Sequence, residues 1–184
     1  AEDEASRVKR VPMDGKARIS FLKRYGIGLS LLTLLYMFLT AYRDFRDSFA
    51  AEIWDALGYG GEPAIFAQAE LPIAAVVLLT LAAVTKIKSN RNALLFVHAI
   101  MLAGSLMIGV STWAYEAGHL SGAAWMILVG IGMYVGYVPY GCVLFDRLIA
   151  AVGVMATAGF MIYVTDAAGY LGSVGNYFYK TFGQ

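Results

Sequence analysis

The stretch TAYRDFRDSFAAEIWDALG, Thr40–Gly58, places two arginines and four acids (Arg43, Asp44, Arg46, Asp47, Glu52 and Asp55) directly after a mostly apolar run. Phe38, Tyr42, Phe45, Phe49, Ile53 and Trp54 keep helical spacing straight through the charges. The pattern predicts a helix that leaves a membrane and carries alternating charge with it. Arg43 and Asp47 are one helical turn apart, so they share a face and can neutralise each other. Charges at a bilayer edge or inside a helix bundle are costly unless paired, which makes these residues candidates for function. An interfacial helix whose charges are simply solvated is the competing reading, because the charges fall at the end of the apolar run.

Composition agrees with a membrane setting. The chain is 59% hydrophobic and 15% charged, with mean hydropathy +0.63, whereas a soluble domain is roughly half apolar and a quarter charged. A formal net charge of +1 gives no support to nucleic acid as a partner. Cys142 is the one cysteine, which excludes an internal disulfide. The chain begins at Ala1 without a signal-peptide pattern and reads as a piece of something longer or a processed product. No CxxC, HExxH, GxGxxG or P-loop pattern occurs, so the expectation is no enzyme, no metal and no cofactor.

Outward from the charged stretch, the sequence predicts an all-α integral membrane protein with five transmembrane helices. Residues 1–24 carry seven Lys/Arg against four acids and read as a basic cytoplasmic arm or linker, with VPMDG as a turn. Residues 25–184 form the membrane domain. The first span is Tyr25–Tyr42, with Lys23 and Arg24 snorkelling back. Gly58, Gly60, Gly61 and Pro63 then break the helix. The second span covers Leu71–Thr85, starting nearer Ile65, with Pro72 in its first turn. The third covers Ala93–Tyr115 and the fourth Ala123–Phe145, with Asp146 and Arg147 marking the next turn. The fifth starts at Leu148, passes Asp166 and meets several glycines that predict a break or a protruding end. Short-loop lysines and arginines put the arm, the 86–91 link and the 146–147 turn on the cytoplasmic side. The acidic 43–70 segment and the C-terminus fall outside, and an odd count of spans implies a missing sixth.

Two constellations could carry chemistry. Asp166, toward the outer end of span five, could pair with Arg43 or Arg46 as a gate, a relay or an ion-pair lock. In GIGMYVGYVPYGCVLFDR, Gly132 and Gly136 form a small-xxx-small pair. Tyr134, Tyr137 and Tyr140 sit on a helix that Pro139 must kink or locally open, which suits a substrate pathway or simple close packing. Ser105 and Gly109 repeat the small spacing in span three. His98 reads as a hydrogen-bonded structural histidine, and Glu62, Gln68 and Glu70 at the mouth of span two read as facing water.

The strings LTAYRDFRDSFAAEIWDALGYG, WMILVGIGMYVGYVPYGCVLFDRLIAA and GFMIYVTDAAGYLGS resemble an uncharacterised bacterial family of multi-pass membrane proteins. That family is itself similar to the Major Facilitator Superfamily of secondary transporters. The resemblance runs from about Arg10 to Gln184. It implies the second half of a twelve-helix protein, with spans one to five equivalent to helices seven to eleven. It also implies that spans one and five are neighbours and that span three lies outside the central cavity. The superfamily's G-x-x-x-D-R/K-x-G-R/K-R/K loop would fall at KIKSNR, where only the basic residues survive. Asp146 could still bridge Arg91 there, beside Arg147. The implied function is alternating-access transport of an unknown small solute in the bacterial inner membrane, with the bilayer and an N-terminal half or companion chain as partners. A non-transporting subunit or scaffold is the alternative, and a lipid or quinone enzyme a weaker third.

Overall fold

The structure, a computed structural model, describes residues 14–152 and 158–183. Among them every regular element is helical. Four stretches are long and apolar enough to cross a membrane: Gly15–Ser48, Ala64–Lys86, Asn90–Glu116 and Gly122–Val152. The protein is therefore an integral membrane protein of helices.

Helix α1, Gly15–Ser48, starts at Asp14, whose carboxylate caps Ala17 N at 2.7 Å. It thus begins ten residues before the predicted first span, and Gly15–Arg24 is helix, not linker. The rest of the predicted arm, residues 1–13, lies outside the described residues. At Phe49 the chain bends, and the short α2, Ala50–Ala56, follows. Helix α3, Ala64–Lys86, carries Pro72 in its interior and not in its first turn. Helix α4, Asn90–Glu116, is capped by Ser89.

Helix α5, Gly122–Pro139, corrects the expected turn at Asp146-Arg147. After Pro139 the backbone widens into a π-helical turn, Tyr140–Leu144, and continues as α6, Phe145–Val152. Pro139 has no N–H to donate and its ring crowds the preceding turn, and a wider turn relieves both. Asp146 and Arg147 are therefore helical residues near the end of one long element. Leu148–Val152 belongs to it as well and not to a fifth span. Residues 153–157 lie outside the described residues. Helix α7, Ala158–Phe182, runs unbroken through Gly169, Gly172 and Gly175, so none of these three glycines makes the expected break.

Helix α1 lies along α7, and α5 is clasped by α4 and α3. The glycines explain the close approaches. A Cβ on Gly172 would meet the Met37 carbonyl oxygen at 2.9 Å, and one on Gly132 would meet the Gly104 carbonyl oxygen at 2.6 Å. On α4 the close partner is Gly104, one residue before the predicted Ser105, and Gly109 faces open space. Helix α4 buries Ala93, Val97, Met101 and Gly104 and exposes Leu95, Leu102, Leu106 and Trp113.

Three apolar clusters frame what remains. One, around Tyr36, Val97, Met101, Tyr140 and Leu144, fills the half of the bundle near the α1 N-terminus. A second, Trp54, Ile65, Ala69 and Met126, closes the opposite end beneath α2. A third, Ile73, Val77 and Val135, joins α3 to α5. Between the end clusters runs a polar layer.

Candidate functional site

The polar layer is built from the charged stretch that ends α1. Arg46 is 4% exposed, so the solvated reading fails for it. Its Nη2 donates to Glu70 Oε1 of α3 at 2.7 Å, and its Nη1 reaches Asp47 Oδ1 at 3.2 Å. Room for the guanidinium comes from Gly130 of α5, where a Cβ would lie 3.0 Å from Nη2. Arg46 Nε is buried without a hydrogen-bond partner. Asp47 in turn accepts from the Tyr134 hydroxyl of α5 at 2.7 Å. One buried cation thereby ties α1, α3 and α5.

Arg43 makes the second node. It pairs with its neighbour Asp44, Nε to Oδ1 at 2.9 Å, and not with Asp47 as helical spacing suggested. The guanidinium lies 4.3 Å from the centre of the Tyr137 ring, a cation–π contact. Tyr137 and Tyr36 share a hydroxyl contact of 3.3 Å and stack at 5.4 Å. The other Asp44 oxygen accepts from Ser173 of α7. Asn176 of α7 donates to the Ala41 carbonyl at 2.7 Å, and Tyr177 meets Ser48. Asp166, Ser173 and Asn176 thus form one polar stripe along α7 against α1, with Gly169 letting the helices approach between them.

Asp166 departs from expectation. The ion pairs of this layer join Arg43 to Asp44 and Arg46 to Asp47 and Glu70, and none of these reaches Asp166. Its carboxyl instead faces the hydroxyl of Tyr36, deeper in the bundle. The three tyrosines also divide. Tyr134 and Tyr137 touch the charged layer, while Tyr140 is fully buried and donates to the Leu32 carbonyl at 2.9 Å. Tyr140 is core, stacked on Tyr36 at 4.6 Å. His98 bonds the Leu94 carbonyl of its own helix through Nδ1 at 2.8 Å, as a structural histidine does.

Glu70 is the residue the sequence misplaces, since it holds the buried arginine and does not simply face water. Its signal was available in a weak form: an acid one turn inside an apolar helix, with a buried-side arginine elsewhere to answer it. At the far end Arg147 donates to the buried Asn90 Oδ1 at 2.7 Å, with Arg91 and Asp146 exposed on the two helices beside that contact.

Among the described residues no cluster of His, Cys, Asp and Glu could hold a metal ion. The profile of one family matches residues 1–184 in full. The chain belongs to the family of unknown function DUF5690. No curated protein and no solved structure matches this DUF5690 chain significantly.

The contacts of the layer carry a direct expectation. Tyr134→Phe removes one hydrogen bond to a half-exposed carboxylate and should cost about 1 kcal/mol, read as a lower unfolding midpoint in detergent. An unchanged midpoint would mean that the Tyr134–Asp47 contact does not hold α5 to α1.

Proposed function

We propose that this protein is the membrane domain of a secondary solute transporter that works by alternating access, with the charged layer as a gate at its outer end. The observation that carries this reading is Arg46, a buried cation held by two half-exposed acids on two different helices. A purely structural lock gains little from acids that water can reach. A gate needs contacts that exchange between partners as helices rock, and half-exposed acids beside a buried arginine can do that. Tyr134, Tyr137, Asp44 and Asp166 would line the path behind it. The topology proposed is five spans of Major Facilitator type with the N-terminus cytoplasmic, in a bacterial inner membrane. Support for that orientation comes from Lys86, Lys88, Arg91 and Arg147, which lie around the one end that holds the Arg147–Asn90 contact.

A second reading has its own observation. Helix α7 exposes Tyr163, Tyr170, Leu171, Phe178, Tyr179 and Phe182, a face that a companion chain in a non-transporting complex could cover.

A thermal-shift screen of the purified protein against metabolite mixtures at two pH values separates the two. A solute that binds only the folded state adds about 2.7 kcal/mol of stability at a hundred times its dissociation constant. Transport predicts such a solute, with the shift lost in Asp166→Asn and Arg43→Ala. Silence across the library, together with a stoichiometric companion chain in gentle detergent, would favour the scaffold.

A further inference from the structure

Away from the charged layer, α1, α4 and α6 leave an open groove of about 1220 Å³ that reaches Met161 of α7. Its walls are almost wholly apolar, with Ile27, Leu31, Leu95 and Ile149 among them. Gly26 and Gly28 of α1 face open space, since a Cβ on either would meet nothing within 4 Å. At one rim stand Lys23 and Arg24, both exposed, and Arg24 lies 5.4 Å from the centre of the Tyr25 ring. The wall also holds His98, whose Nδ1 is engaged by the Leu94 carbonyl.

From this arrangement we infer that the groove is a binding site for one anionic phospholipid, with its phosphate at Lys23 and Arg24 and an acyl chain against Ile27 and Leu31. The charge at the rim selects the occupant. A packed protein helix would fill an apolar groove equally well, but it would leave two cations at the rim without an answer. A lipid supplies both parts, a negative headgroup beside the basic pair and hydrocarbon below it. The groove runs from Lys23 to Leu35 along α1, about 18 Å at 1.5 Å per residue, which is roughly half of a bilayer's hydrocarbon thickness and so one leaflet. Basic residues between transmembrane helices commonly hold lipid headgroups in this way. The site is separate from the charged layer and does not depend on transport.

Native mass spectrometry of the detergent-purified chain, titrated with phosphatidylglycerol or phosphatidylcholine of equal chain length, tests it. The wild type should retain phosphatidylglycerol on the order of tenfold more strongly. Lys23→Gln with Arg24→Gln should remove that preference and leave residual binding of both lipids. Gly28→Phe, which fills the groove without a backbone clash, should weaken both lipids alike. Equal retention of the two lipids by the wild type would overturn the proposal. So would a preference that survives the loss of Lys23 and Arg24, or cross-linking of a polypeptide instead of a lipid from a photoreactive residue at position 31. Both variants lie on exposed positions, and their unfolding midpoints in lipid-free detergent should match the wild type.

Discussion

Glu70→Leu should destabilise the protein by about 3 kcal/mol, and adding Arg46→Met should restore most of that loss. Removing one partner of a buried pair strands the other, at about 3–5 kcal/mol. The low end applies because Glu70 is 50% exposed at its side chain and part of its charge is already screened by water. Arg46, at 5% side-chain exposure, has no such relief. It would keep only the 3.2 Å contact to Asp47, with its Nε already unpartnered. With Met in place of Arg46 no buried charge remains, and a long apolar side chain occupies the space beside Gly130 and Ile73. Apolar replacement of a whole buried pair is often neutral or stabilising. Asp47 is not stranded in the double variant, because it keeps the Tyr134 hydroxyl and is 42% exposed. Unfolding midpoints of the two single variants and the double variant in detergent give a coupling energy. A coupling near zero would show that the arginine and the glutamate do not hold α1 to α3.

The charged stretch was legible as the centre of the molecule because charge directly after an apolar run needs a physical answer. Its pairing was not. Spacing within one helix offers Arg43 the carboxylate of Asp47, but that acid is drawn away by Arg46 and Tyr134. The decisive acid, Glu70, lies on a different helix, and nothing in a one-dimensional pattern reports which helices touch. The same limit explains Asp166. Its charge marks an interior position, yet whether arginine or tyrosine faces it depends on how far α7 slides along α1. That register is set by Gly169 and Gly172, which let α7 sit against Tyr36, Thr40 and Met37. Asp146 and Arg147 failed for another reason. Paired charges after an apolar stretch look like a turn, but a helix can carry them out past the apolar span, and the wide turn after Pro139 lets this one continue. The four long apolar helices were readable from hydropathy. Helix ends and partners were decided by packing.

Gly132→Val should be among the most disruptive single substitutions in the bundle. A Cβ at 132 would stand 2.6 Å from the Gly104 carbonyl oxygen, a backbone atom that cannot swing aside, and 3.0 Å from Ile108 Cγ1. Helices α4 and α5 would have to separate along their shared face. Overpacking costs about 1–3 kcal/mol where side chains can absorb the strain, and a clash between backbones belongs at or above the top of that range. The wider consequence concerns Arg46. Helix α5 also supplies Gly130 and Tyr134 to the polar layer, so displacing α5 would loosen the arginine's seat and weaken the layer together with the α4 contact. Gly109→Ala is the matched control. It lies on the same helix face pattern that sequence alone favours, but its Cβ would meet open space, so it should change the unfolding midpoint little. A Gly132→Val protein as stable as the wild type would mean that α4 and α5 are not held at backbone contact. A Gly109→Ala protein as damaged as Gly132→Val would move the close approach to the register the sequence first suggested.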